Sequence, residues 1–385
     1  MKIGMFTDSY KPYTSGVVRS IEITKAKLTE LGHEVYIFAP NYPYYEEEET
    51  GVYRFASIPT PTYPDFAIAL PFSLHLNATV KELDLDIIHV HSPFSMGLLG
   101  SRCAKRFGIP LVFTYHTMYD RYVHYLPFAQ NLSKKVVLKL SSNFCNRCDL
   151  VITPTEVVRR IVAPNVSTKV QALPTGIDTS EFSAMDRQWL RTQLKIPEHK
   201  KILLHLGRLG KEKNVVFLLQ AYKIIRQSQP NTVLVIVGDG PEREALQSQA
   251  QEMGLAPHII FTGSMPRELV INCYAGADLF VFASTTETQG LVLGEAKAAG
   301  LPCVAVKALG ASEMVKDGVD GFLTDLSLDE FSDRVLQLLE DEELLRCMSA
   351  NCLVTVQEVS SISMAKKLLT AYEELISHKC CRHVG

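Results

Sequence analysis

The 385-residue sequence predicts an α/β fold of two domains, each built on a parallel sheet. Three observations carry that expectation. An apolar run at Lys2 to Phe6, a helical pattern from about Val17 to Leu31 and an apolar run at Val35 to Ala39 have the lengths of a βαβ unit. The crossover in such a unit makes its two strands parallel. The same pattern restarts at Lys201 to Leu206, Val215 to about Arg226 and Val233 to Val237. The chain is also longer than one average domain.

Composition narrows the class. The chain is 46% hydrophobic and 21% charged, as in soluble globular proteins. It has no apolar run long enough to span a bilayer, and MKIGMFTDSY reads as a buried strand followed by polar residues rather than a signal peptide. A cytoplasmic location is expected. Nine scattered cysteines without a disulfide-framework spacing suit a reducing compartment. Cys145 and Cys148 form a CxxC with no second pair at zinc-ribbon distance, so they read as structural. The tail from His378 to His383 reads as a frayed end rather than a metal site. No metal and no separate cofactor are expected.

The net charge of −3 hides an uneven distribution. Between Arg102 and Arg147 stand eight basic residues and one acid, Asp120. Such a local excess points to an anionic partner. From Asn131 to Phe144, Leu132, Val136, Val137, Leu140 and Phe144 fall on one helical arc, and Lys134, Lys135 and Lys139 on the other. This reads either as a packed helix with a solvated basic face or as a helix that docks on anionic lipid. Nucleic acid is not expected, because no aromatic-interleaved basic motif accompanies the charge.

Along the first half, Gly16 stands where a strand-to-helix loop meets a helix start. A backbone can approach a phosphate there, or the glycine serves the turn alone. Val52 to Ile58 reads as a strand and Pro59 to Pro71 as a loop suited to an acceptor surface. Asp84-Leu85-Asp86 matches a DxD but reads as a turn into the strand Ile87 to His91. On that strand His89 reads as a core histidine. Leu111 to Tyr115 is another strand and delivers His116 at its carboxyl end, where parallel sheets place ligands. Near neutral pH His116 can donate to a phosphate or sugar hydroxyl. Leu150 to Thr153 and Val170 to Leu173 complete the strands of this half. The domain boundary falls between about Leu173 and His199, giving domains at 1–173 and 174–362. A last helix near 363–378 returns to the first domain.

The second half offers a donor-shaped set. Arg208 and Lys213 lie on a glycine-bearing strand-to-helix loop and suit a diphosphate: Arg supplies a planar fork and Lys a point charge. A solvated loop is the alternative. Pro241 reads as the first residue of a helix. Gly263-Ser264-Met265-Pro266 follows a strand, where a base can rest on backbone. From Ala283 to Pro302, Glu287 and Glu295 stand eight positions apart around Gly290-Leu291-Val292, which reads as a turn entering a helix. A helix start binds phosphate and a carboxylate accepts from vicinal hydroxyls. Alternatively these are a loop glutamate and a solvated helix glutamate.

Several motifs in order resemble the family 4 retaining glycosyltransferases: FTDSYKPYTSGVV, DIIHVHSP, TYHTMY, LPTGIDTSEF, HLGRLGKEKN, VGDGPERE, ETQGLVLGEAKAAGLPCVA and DGVDGFL. The resemblance covers nearly the whole chain. It implies the GT-B fold, two Rossmann-like domains facing across a cleft, and transfer of a hexose with retention of configuration. The family's E-x7-E motif falls on Glu287 and Glu295. By the same resemblance Glu295 binds the donor ribose and Glu287 the donor sugar. Arg208 and Lys213 hold the diphosphate, helped by backbone at Gly16, Gly290, Leu291 and Val292. Met265 lies near the base, and His116 sits at the reacting sugar. Two departures stand out: Thr288-Gln289-Gly290 replaces the aromatic and second glycine common in the E-x7-E loop, and Ser15-Gly16 replaces a glycine pair.

The branch most resembled is the bacterial diacylglycerol glucosyltransferases, through FTDSYKPYTSGVV and TYHTMYDRY. That implies α-glucosylation of diacylglycerol from UDP-glucose by an enzyme held peripherally on the inner face of the cell membrane. The rivals are a phosphatidylinositol mannosyltransferase using GDP-mannose, a transferase with a soluble acceptor, and a non-catalytic nucleotide-sugar sensor.

Overall fold

The structure is a computed structural model describing residues 1–43, 45–60, 63–70, 72–119 and 130–383, with side chains left out at 60, 63–66, 130–134 and 380–383. The chain divides into two compact units, residues 1–176 with 361–385, and residues 177–360.

Among the described residues the first unit carries nine strands: β1 (Lys2–Phe6), β2 (Glu34–Pro40), β3 (Val52–Phe55), β4 (Ser57–Thr60), β5 (Tyr63–Ala69), β6 (Ile87–Val90), β7 (Leu111–Thr114), β8 (Leu150–Thr153) and β9 (Val170–Ala172). Seven of them form one parallel sheet in the order β3-β2-β1-β6-β7-β8-β9. Every residue of β6, β7 and β8 is buried, as expected of a sheet covered on both faces. The last helix, Ser361–His383, packs Met364, Leu368 and Tyr372 against Ile3, Ile37 and Val112 of this core. The strand order reverses between β1 and β6, so the loops after these strands flank the switch point.

The second unit has six parallel strands: β10 (Lys201–Leu206), β11 (Thr232–Val237), β12 (Ile259–Gly263), β13 (Leu279–Phe282), β14 (Cys303–Val306) and β15 (Gly321–Thr324). Their order is β12-β11-β10-β13-β14-β15. Here the switch point lies between β10 and β13. It is flanked by the Arg208 to Lys213 loop and the Glu287 loop.

Three sequence expectations are corrected. The stretch Val52 to Ile58 is two strands, because β3 pairs parallel with β2 whereas β4 turns away to pair antiparallel with β5. The supposed loop Pro59 to Pro71 therefore contains β5, a strand hidden by its prolines; Pro64 is tolerated because a two-stranded ribbon is all edge. Pro241 is not at a helix start. The helix runs Arg243–Glu252, because Glu242 N–H donates to Leu209 O at 3.0 Å and holds this turn against the basic loop.

The CxxC cysteines are buried free thiols at the end of the helix Gln130–Cys145. Asp86 accepts from Lys2 N–H at 2.7 Å, which accounts for the DxD as the lead into β6. Of the tail from His378 to His383, the side chains from 380 onward lie outside the described residues.

Candidate active site

In the second unit the basic loop meets Glu287. Gly207 follows β10 with φ +155°, and a Cβ on Gly238 would meet Gly207 O at 2.0 Å, so the loops after β10 and β11 touch backbone to backbone. Arg208 leaves this turn exposed. A 3-10 turn, Lys211–Lys213, then directs Lys213 inward, and Ser284 Oγ donates to Glu212 O at 2.9 Å, tying the turn to the loop after β13. Lys213 Nζ forms a close ion pair with Glu287 Oε1. Burial pulls the Lys213 ammonium down to about 8, with Glu212 opposing and Arg208 adding to the fall. The Glu287 carboxylate in contact favours the charged form.

The Glu287 loop is held by its own backbone. Gly310 N–H donates to Glu287 O at 2.9 Å, and a Cβ at Gly310 would stand 2.4 Å from Gln289 Cα. Gly290 has φ +79°, a left-handed conformation that suits glycine, and opens the helix Leu291–Ala298. The N-cap Gly290 has no side chain to cap that helix, and Leu291 and Val292 stand at its positive end.

One turn in, Glu295 is 6% exposed and both its oxygens are engaged. Arg267 Nη1 pairs with Oε1 at 2.8 Å, and Tyr274 OH donates to Oε2 at 3.0 Å. Arg267 also donates from Nη2 to Glu181 Oε2 at 2.8 Å and lies over the Phe182 ring at 5.7 Å. Burial opposes the Arg267 charge, but Glu295 and Glu181 outweigh it and raise its pKa. Burial first, and Glu295 second, push the Tyr274 phenol well above its ordinary range, so it stays a donor. Met265 lies just past β12, half-buried against the same core. Sequence reasoning missed Arg267, Tyr274 and Glu181. Their residue types carry no local signal, and only tertiary packing brings them to Glu295.

The first unit holds Gly16 and His116. Gly16 begins the helix Gly16–Glu30, whose N-cap Ser15 accepts from Val18 N–H at 3.2 Å. A Cβ at Gly16 would meet nothing within 4 Å and its φ is not left-handed, so the fold itself does not demand glycine there. His116 follows β7, and its Nε2 is 2.9 Å from His91 Nδ1. Burial lowers His116 to about 4 and His91 well below its usual value, so the pair is neutral at neutral pH. His89 is a satisfied core histidine: Nδ1 meets Tyr372 OH at 2.6 Å and Nε2 meets Thr114 Oγ1 at 2.7 Å.

On the helix Gln130–Cys145, Lys135 and Lys139 are exposed, and the side chain of Lys134 lies outside the described residues. Part of the apolar arc is also in solvent: Val136 is 48% and Leu140 60% exposed, as is off-arc Leu138 at 39%. Phe144, edge-on to Phe113 at 5.2 Å, is buried at that end together with Ser141 and Cys145. Arg102, Lys105, Arg106 and Arg147 are exposed as well. Near the ribbon of β4 and β5, Ile58, Ile68, Phe72 and Leu74 are more than half exposed. Among the described residues, no helix is long and apolar enough to cross a membrane, and no three His, Cys, Asp or Glu side chains cluster as metal ligands.

Comparison with known proteins supplies the rest. Residues 14–181 match the model of Glycosyltransferase Family 4, and residues 186–352 that of Glycosyl transferases group 1. The chain is 34% identical to the alpha-monoglucosyldiacylglycerol synthase of Streptococcus pneumoniae, over 84% of this chain and 75% of that one. It is 31% identical to the protein of the same name from Acholeplasma laidlawii, over 98% of both. A GDP-mannose-dependent alpha-mannosyltransferase of Corynebacterium glutamicum is 27% identical over 98% of this chain and 90% of that one. Among solved structures, Anabaena HepE in complex with UDP-glucose has a TM-score of 0.78 at 21% identity, over 97% of this chain and all of that one. The sucrose-phosphate synthase of Thermosynechococcus elongatus has a TM-score of 0.80 at 19% identity, over 98% and 99%. These likenesses establish the fold as GT-B.

Proposed function

The chain belongs to glycosyltransferase family 4, and from that premise we propose that it transfers glucose from UDP-glucose to diacylglycerol at a membrane surface. The observation that carries this reading is the end-to-end relationship to an alpha-monoglucosyldiacylglycerol synthase, 31% identical over 98% of both chains. UDP-glucose is an α-glycoside of its diphosphate. An alpha-linked product therefore means retention of configuration, in keeping with the family.

The chemistry assigns each side chain a task. Glu295, held by Arg267 and Tyr274, accepts from the ribose hydroxyls. The diphosphate lies against Arg208, Lys213 and the N–H groups of Gly290, Leu291 and Val292. As it arrives, Lys213 turns part of its charge from Glu287 to phosphate, and Glu287 accepts from the sugar hydroxyls. The bond from the anomeric carbon to the phosphate oxygen breaks, and the acceptor's hydroxyl oxygen bonds to that carbon from the same face. The acceptor proton passes to the departing diphosphate. Cations preorganised around a leaving group stabilise the charge that develops there. His116 acts as a neutral hydrogen-bonding group at the sugar. No nucleophilic side chain is needed in this front-face path.

The acceptor is a membrane lipid, so the enzyme works peripherally on the inner leaflet. The exposed lysines and apolar residues of the helix Gln130–Cys145 support this, since anionic headgroups attract the first and the acyl boundary takes the second. A donor-by-acceptor screen read by mass spectrometry tests the whole reading. UDP-glucose with diacylglycerol is expected to give a monoglucosyl lipid and UDP. Turnover only of GDP-mannose with phosphatidylinositol, or only with a soluble acceptor, would replace it. No turnover of any donor would leave a nucleotide-sugar sensor.

A further inference from the structure

Behind His116 three imidazoles stack in series. The His89 and His91 ring centroids lie 4.3 Å apart, and those of His91 and His116 lie 5.2 Å apart. Two protein contacts satisfy His89, whereas among the described residues His91 Nε2 has no protein partner, and His91 is 2% exposed. His91 lines a cavity of about 40 Å³, as do Thr114, Ser20 and Thr175. A polar cavity holds a water once it exceeds roughly 10–15 Å³. Ile152, Leu173, Met364 and Leu368 make most of the remaining lining apolar, and Ser20 and Thr175 already meet at 2.7 Å, so a water here has the orphaned ring nitrogen and the Thr114 hydroxyl as its polar partners.

Donor counting gives the chain a direction. Tyr372 is wholly buried, and its phenol must donate to avoid an unsatisfied O–H; His89 Nδ1 accepts it at 2.6 Å. His89 then carries its proton on Nε2 and donates to Thr114 Oγ1 at 2.7 Å. The Thr114 hydrogen must go elsewhere, and the cavity is the space its hydroxyl lines. We propose that a water in this cavity accepts from Thr114 and donates to His91 Nε2, and thereby holds His116 as the Nδ1–H tautomer. With its Nε2 accepting, His91 carries the proton on Nδ1 and donates to His116 Nε2. His116 then presents an N–H at Nδ1 as a fixed donor. Thr114 and His91 are positioning residues that act through the water and through His116. Burial keeps all three imidazoles neutral at neutral pH, so each has a single proton to place.

The inference rests on His116 belonging to the active site, but its main readout needs no turnover. Long-range 1H–15N correlation spectra of the full-length protein report which nitrogen of each histidine is protonated. The His116 and His91 signals are assigned with His116→Gln and His91→Gln. The expected result is Nδ1–H for both, with a water within hydrogen-bonding distance of His91 Nε2 in a high-resolution crystal structure. Thr114→Val keeps the shape and the strand propensity but removes both the donor to the water and the acceptor of His89 Nε2–H. It is expected to shift His116 toward a tautomer mixture and to lower kcat about tenfold, the scale of a lost buried hydrogen bond, with KM for UDP-glucose little changed. Thr114→Ser should restore both. His116 protonated at Nε2 in the wild type, a dry cavity, or a tautomer indifferent to Thr114→Val would overturn the proposal. If the protein turns over another donor or none, the spectra still decide it.

Discussion

Tyr274 donates its phenolic hydrogen to Glu295 Oε2 at 3.0 Å, and both side chains are buried. The contact fixes the carboxylate from the protein side, so that its position is set before donor arrives. Hydrogen bonds to charged groups are worth about 1.5–3 kcal/mol. Tyr274→Phe should therefore weaken UDP binding roughly tenfold or more while leaving kcat at saturating donor nearly unchanged. Titration calorimetry with UDP checks this; an unaltered Kd would mean that Arg267 alone suffices to hold Glu295.

On the role proposed for Lys213, the rate should depend on pH. Its ammonium is active only when charged, and burial lowers it to about 8. The profile of kcat/KM should accordingly fall on the alkaline side with a midpoint near 8. In the donor complex the diphosphate favours the charge, so the same limb in kcat should move to higher pH. Lys213→Arg keeps a charge at all accessible pH and should abolish the limb, whereas Lys213→Ala should lower kcat about 10²–10³-fold. A limb that persists in Lys213→Arg would assign the titration to another group.

The helix carrying Glu295 is anchored by a buried ion pair. Lys297 Nζ meets Asp320 Oδ2 at 2.7 Å and donates to Met314 O at 2.8 Å, while Thr355 donates to the same carboxylate oxygen at 2.6 Å. Lys297 is 3% and Asp320 0% exposed. Breaking such a pair from one side leaves a buried charge and costs about 3–5 kcal/mol. Asp320→Ala is expected to lower stability by that amount in denaturant unfolding of the second unit's transition. Replacing both residues, as Lys297→Met with Asp320→Leu, should cost less than Asp320→Ala; a larger loss in the double variant would show that the polar network matters beyond its charge balance.

Membrane docking separates into charge and apolar contact. Each lysine near an anionic surface contributes about 1 kcal/mol, so Lys135→Gln with Lys139→Gln should weaken binding to anionic vesicles roughly thirtyfold at low salt, with little effect on neutral ones. Leu140→Ser should lower binding to both. Vesicle flotation distinguishes these, and binding of the wild type that ignores anionic lipid and salt would remove the electrostatic part of the account.

Much of this was legible in the chain. Both βαβ patterns were visible because parallel strands buried on two faces are continuous apolar runs, as β6 to β8 are. Glu287 and Glu295 stood out through their spacing around Gly290, and Arg208 and Lys213 through a basic glycine loop. What stayed hidden depends on distant contacts. Arg267 and Tyr274 reach Glu295 from the helix Arg267–Gly276, some twenty or more positions away in sequence. The strand β5 was masked by prolines that an antiparallel ribbon accommodates at its edges. The apolar arc at Val136 and Leu140 read equally as a packed face or a lipid-docking one, because periodicity alone does not tell a face turned to the core from one turned to solvent.

The most direct measurement is the anomeric configuration of the product. The protein is incubated with UDP-glucose and vesicles containing diacylglycerol, and the extracted lipid is examined by proton NMR. The account predicts a monoglucosyl diacylglycerol whose anomeric proton shows the small coupling of an α-linkage. A β-linked glucolipid, or no glucolipid while another donor and acceptor pair is consumed, would contradict it.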